Sequence, residues 1–155
     1  MPKVVFGVID LPYSHTENLG KNKSGKRKGQ ARASTTGDVA EILEAKYEVM
    51  QTFWNLHQDE IVNELHESLA DEFDAILQGK PLSNNAFAGG TSEIETMFKK
   101  FLSEKEMDGL GIKGVPTKAS LMGVSHRFKD KKGTPGRPSF IDTGMYENAF
   151  KAWVE

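Results

Sequence analysis

Four stretches of this chain carry residue types at spacings that chemistry uses, and each lacks a part. Phe140-Ile141-Asp142-Thr143-Gly144 sets an apolar pair before Asp-Thr-Gly, the loop that supplies one carboxylate to an aspartic protease. That reaction needs two such loops sharing one proton between close carboxylates, and a sheet and flap to build the cleft. The mechanical reading is preferred: Asp142 caps a terminal helix and Ile141 staples its start. Gly20, Gly25 and Lys26 nearly match a phosphate loop, but Arg27 stands where a Ser or Thr would hold magnesium. Gly109, Gly111 and Gly114 have dinucleotide-loop spacing, yet they follow an amphipathic stretch and run into Val115-Pro116, so they read as helix-ending glycines. His66-Glu67 opens like a zinc helix, whereas the second ligand position holds Ala70. His15, His57 and His126 are scattered, and His57 and His66 read as helix-surface residues. With no cysteine, disulfides, thiolate zinc sites and Cys nucleophiles are excluded. The expectation is a non-enzyme with no cofactor, no metal and no small-molecule substrate.

Charge is sorted into blocks. Residues 1–37 hold seven Lys/Arg against two acids, and residues 38–80 hold eleven acids against Lys46 and Lys80. The stretch 81–111 is nearly balanced, 112–139 carries seven Lys/Arg against Asp130 alone, and the last sixteen residues return to −2. A formal net charge of −2 therefore hides a basic-acidic-basic layout. Oppositely charged surfaces steer and register copies of a chain in an assembly. Apolar content of 37% is low for a lone globule and points to burial shared with partners.

These residues must be positioned by a few elements. Val4 to Ile9 is one β-branched and aromatic strand without a neighbouring hairpin partner. From Ser14 to Thr36 the chain is polar and Gly-rich, with six Lys/Arg and no acid after Glu17; in isolation such an arm has too little apolar surface to offset ordering entropy. Asp38 with Glu41 forms a capping box that opens an amphipathic stretch ending at Gly79 and Pro81. It is either one continuous helix of about 60 Å or two helices broken near Asn55 to Glu60. Ser92 with Glu95 repeats the capping pattern ahead of a second helix that ends near Gly109 to Gly111, and Pro116-Thr117 to Met122 gives one short turn closed by Gly123. Tyr146, Ala149, Phe150 and Trp153 are spaced as the face of a terminal helix.

The expected fold class is mainly α (α+β): a long amphipathic helix or helical hairpin plus a short C-terminal helix, with an extended N-terminal strand and basic arm. Residues 1–37 form the strand and arm. Residues 38–155 form a helical domain with a basic loop at 123–139 and a terminal helix at 143–155. No apolar run reaches the 18 residues of a membrane span, and no secretory signal is read.

The stretch Arg137 to Trp153 (RPSFIDTGMYENAFKAW) resembles the Pro…Thr-Gly-x-(Leu/Tyr)-x-x-(Ser/Ala)-Phe segment of structural proteins from tailed bacteriophages. Thr36 to Tyr47 (TGDVAEILEAKY) is also similar to phage virion proteins. Among these, the tail-completion and head-tail joining proteins of the neck are the nearest group. The resemblance implies a virion subunit, made in the host cytoplasm, that forms a homo-oligomeric ring and touches other neck or tail proteins. Expected contact residues are Lys26, Arg27 and Lys28 in the arm, Arg127, Lys131 and Arg137 in the second basic segment, and Phe140, Asp142, Tyr146, Phe150 and Trp153 at the end. The alternative is a nucleic-acid-binding accessory protein that uses the basic segments 21–32 and 127–137.

Overall fold

The computed structural model of the protein describes residues 3–13, 35–123 and 135–155. The fold is mainly helical with one small antiparallel sheet, the α+β class expected. In chain order come strand β1 (Val4–Val8), helices α1 (Thr36–Tyr47), α2 (Val49–Leu77) and α3 (Ala88–Ser103), a 3-10 turn (Glu106–Gly109), short helices α4 (Lys118–Met122) and α5 (Met145–Ala149), and strand β2 (Phe150–Val154). Among the described residues no helix is long and apolar enough to cross a membrane.

The first helix starts three residues earlier than the Asp38 box predicts. Thr35 is the cap: its hydroxyl accepts from the Asp38 N–H while the Asp38 carboxylate accepts from the Thr35 N–H. Asp38 thus fills the third helical position, because a Thr-x-x-Asp box satisfies the same free donors one turn upstream. Thr36, fully buried, ties this start to the strand end: its N–H donates to Leu11 O at 2.9 Å and its hydroxyl accepts from Leu11 N–H at 2.7 Å. Pro12 and Thr35 form an isolated antiparallel bridge. Pro12 and Thr35, on either side of residues 14–34, are thereby held side by side.

The long amphipathic stretch is two helices, broken at Glu48 and not near Asn55 to Glu60. Glu48 adopts the left-handed conformation (φ 50°), ending α1 and starting α2. What holds the bend is Glu44, whose carboxylate accepts from the Met50 and Gln51 N–H groups at 2.7 and 3.1 Å and so caps α2 from the neighbouring helix.

Helices α2 and α3 form an antiparallel hairpin. At one level Phe53 lies 5.2 Å from Phe98 and 5.4 Å from Phe101; further along, Gly90 lies against the backbone of Glu64 and Leu65. A Cβ at Gly90 would stand 2.7 Å from Glu64 O, so this approach needs glycine. The Ser92–Glu95 box is not used. Helix α3 begins at Ala88 without a side-chain cap, and Glu95 instead reaches β2, meeting Lys151 Nζ at 2.6 Å. Gly79 (φ 79°) follows the end of α2, and Thr117 and Gly123 cap the two ends of α4, as expected.

Strand β1 does have a partner. It pairs antiparallel with β2 in the register Val4↔Val154, Phe6↔Ala152, Val8↔Phe150. The terminal helix accordingly spans only Met145–Ala149, and Phe150–Val154 of the predicted 143–155 helix is strand. Phe6, Ala152 and Phe150 turn toward the helices; Phe150 stacks on Phe98 with centroids 3.9 Å apart, and Phe6 touches Phe53, Trp54 and Phe150. Phe53, Ile61, Ile94, Phe98, Phe101 and Phe150 make the centre of the core.

Candidate functional site

The expected contact residues separate into distinct environments. Lys26, Arg27, Lys28, Arg127 and Lys131 lie outside the described residues, as do the near-match to a phosphate loop and His15 and His126. Arg137 is largely covered: its guanidinium donates to Ile141 O and stands 3.4 Å from the Asp142 carboxylate. Asp142 therefore serves as a counter-ion and does not cap α5, which starts from Gly144 at φ 76°. Thr143 takes the nearest capping position, its hydroxyl accepting from Met145 N–H at 3.4 Å. Phe140, with φ 69°, sets its ring 5.1 Å from that of Tyr47.

Tyr146 and Phe150 were expected as partner contacts and are instead used in the chain's own core. Tyr146 is 3% exposed, packs edge-on to Phe98, and has a buried hydroxyl without a hydrogen-bond partner among the described residues. Burial above all, with Glu44 and Tyr13 adding to it, pushes its phenol well above the ordinary pKa. Their aromatic spacing fits an exposed helix face equally well, so the pattern alone could not tell core from contact. Trp153 is the exception. It is 39% exposed on the outer face of the sheet and lies over Gly7, where a Cβ would come within 2.8 Å of its ring; its Nε1 donates to Glu155 at 3.0 Å.

The most exposed apolar surface lies elsewhere, at the far end of the α2–α3 hairpin. Leu65 is the last buried residue of α2, which continues for twelve residues, or about 18 Å, without burying another. Along that extension Phe73 is 59% and Leu77 84% exposed, and Leu82 in the connecting loop is 69% exposed. The row Ile61, Leu65, Leu69, Phe73, Leu77 steps by four residues, and such rows rotate slowly around a helix axis, so its early members face α3 and its late members face away. The spacing of apolar residues marks this stretch as amphipathic helix, and it does not show where the opposing helix stops.

The same segment is acidic. Helix α2 carries seven Asp/Glu and no Lys or Arg. Glu64, Glu67, Asp71 and Glu72 line an open cleft of about 410 Å³ with Glu93 of α3 and the turn containing Ser83 and Asn85. Ser68 donates to Ala86 O at 2.9 Å, and Glu72 accepts from Ser83 N–H, which fixes the turn against the helix. No group of three or more potential metal ligands is clustered among the described residues.

A second polar feature joins α2 to the 3-10 turn. His57 is bonded through Nδ1 to Glu60 and through Nε2 to Glu106, each at 2.9 Å, with its ring against Phe53 and Phe101. It is a partly buried clamp and not the surface histidine expected; His66 is exposed as predicted. Helix α3 ends at Ser103 and not near Gly109 to Gly111 as expected: Lys105 (φ 61°) turns the chain into the 3-10 turn, which Gly109 closes, and Gly111 and Gly114 lie in the turns beyond.

In comparisons with known proteins the chain matches no family model, no curated protein and no solved structure.

Proposed function

We propose that this protein is a structural subunit of a bacteriophage virion, placed at the neck or tail in tail completion or head-tail joining, and that it forms a homo-oligomeric ring through contacts between neighbouring subunits. The observation that carries this reading is the division of charge. The described residues hold ten Lys/Arg against twenty Asp/Glu, a net of −10, while segments 14–34 and 124–134 hold the other ten Lys/Arg against Glu17 and Asp130. An acidic body joined to strongly basic segments attracts further copies of itself, and attraction between unlike patches produces head-to-tail contacts that can close into rings. The likeness of residues 137–153 and 36–47 to tailed-phage structural proteins supports the same assignment. Trp153, Phe73 and Leu77 give apolar surface to the contacts with neighbours and with other virion proteins.

Sedimentation velocity and negative-stain imaging of the purified protein test the proposal. The expected outcome is discrete rings at low ionic strength that loosen as salt screens the charged contacts. A monomer at every concentration and salt level, or steeply salt-dependent DNA binding without assembly, would count against it.

A further inference from the structure

We infer that the outer edge of β1 is a strand-addition surface for a second copy of this chain. The β1 strands of two copies pair antiparallel about a two-fold axis at Phe6, making a four-stranded sheet in the order β2-β1-β1-β2. The inference goes beyond the ring assignment, because a two-fold contact joins copies in pairs whatever other contacts they make.

The ladder shows which backbone groups are open. Lys3 and Glu155 exchange both of their hydrogen bonds, at 2.7 and 2.9 Å, and Ile9 N–H donates to Ala149 O at 2.8 Å. Bonded and non-bonded residues alternate along an antiparallel pair, so Val5 and Gly7 also point at β2. The N–H and C=O groups of Val4, Phe6 and Val8 point away from it. Among the described residues no third strand takes them up. The two edges of the sheet differ. On β2, Ala152 N–H meets the Glu95 carboxylate of α3 at 3.4 Å, and Phe150 and Ala152 are buried. Their cross-strand neighbours Val8 and Phe6 are only partly buried, which leaves β1 as the open side.

Native sheets guard a free edge with charges, prolines or bulges. Val4–Val8 has none of these: it reads Val-Val-Phe-Gly-Val and pairs with β2 without interruption. Three N–H and three C=O groups on an uncharged strand call for another strand, and this sequence fits itself. Antiparallel pairing sets outward-pointing residues opposite one another. Centred on Phe6, it places Val4 opposite Val8 of the second copy and Phe6 opposite Phe6 of the second copy. Each outward N–H then meets a C=O, and the side chains on the helix-facing side pair apolar with apolar. Because the strand carries no charge, two acidic bodies meet along it without setting like charges opposite each other.

Amide exchange followed residue by residue by NMR tests this on the unaltered chain. The Val4, Phe6 and Val8 amides should be protected at high concentration and lose about tenfold or more of that protection on dilution, while Val5 and Gly7 stay protected throughout. Val4→Pro removes one outward N–H and none of those bonded to β2. It should weaken self-association in sedimentation by about tenfold to a hundredfold, since the two-fold axis loses the bond twice. The cysteine-free chain lets spin labels on single-cysteine variants read the register. Across the axis the backbone positions are about 8 Å apart for Val5→Cys and about 21 Å for Ile9→Cys, so only the first pair should broaden strongly. Outward amides that exchange freely at every concentration, or stay protected at high dilution, would overturn the pairing. Rings that form while those amides stay unprotected would overturn it and leave the ring assignment standing. Dimers with the alternating protection and no larger species would support the pairing and remove the ring.

Discussion

At position 57 a histidine stands between two carboxylates from different elements, Glu60 on α2 and Glu106 on the 3-10 turn, with Phe53 and Phe101 flanking its ring. Burial disfavours its charge, but the hydrogen bonds and negative charge of Glu60 and Glu106 outweigh that cost, and its pKa stands above the ordinary 6.5. A cation bound more tightly in the folded state adds stability below the unfolded pKa, and that stability is lost as pH rises through the folded value. The urea midpoint of His57→Gln should therefore lie furthest below wild type near about pH 5.5 and approach it by about pH 8.5. A gap that stays constant across that range would mean the ring acts by packing alone. Nothing in the sequence marked this residue, since Glu106 is 49 positions away and only the packing of the 3-10 turn on α2 brings the pair together. The contact residues were likewise legible by type and not by environment: Tyr146, Phe150 and Trp153 share one aromatic pattern, yet two are core and one is surface.

Among the elements, the α1–α2 junction shows where pattern reading reaches its end. Helix was legible from 38 to 77 because the apolar spacing persists, and the Gly79-Pro81 stop and the Thr117–Gly123 turn each rest on local chemistry that needs no distant partner. The break at Glu48 has no glycine or proline to announce it. It depends on Glu44 turning its carboxylate onto the first free N–H groups of α2, a contact made only once the bend exists. Replacing Glu44 with Ala should cost about 1–2 kcal/mol, as loss of a side-chain cap with favourable charge does, measured by urea unfolding. An unchanged midpoint would show that the bend is held by packing of Val49 and Phe53 instead. Strand β2 was missed for a related reason. Residues 145–154 satisfy helical spacing at Tyr146, Ala149, Phe150 and Trp153 and alternation at Phe150, Ala152 and Val154, and the choice falls to β1, which is about 140 residues distant in sequence.

For the whole molecule, the aromatic cluster is what welds the sheet to the hairpin. Phe150 touches Phe6 of β1, Phe53 of α2 and Phe98 of α3, so one ring links three elements. Phe150→Ala should lower stability by about 3–5 kcal/mol, the range for an aromatic lost from a packed core, and should speed amide exchange along Val4–Val8 as well as along β2. Loss confined to β2 would show that β1 is anchored independently by Phe6 on Trp54. The pairing of β1 with β2 also sets an order of events during translation. At 5–20 residues per second the ribosome needs on the order of ten seconds to make the residues between the two strands, and through that interval Val4, Phe6 and Val8 have emerged without their native neighbour. The nascent chain thus carries an unshielded apolar stretch until β2 leaves the exit tunnel.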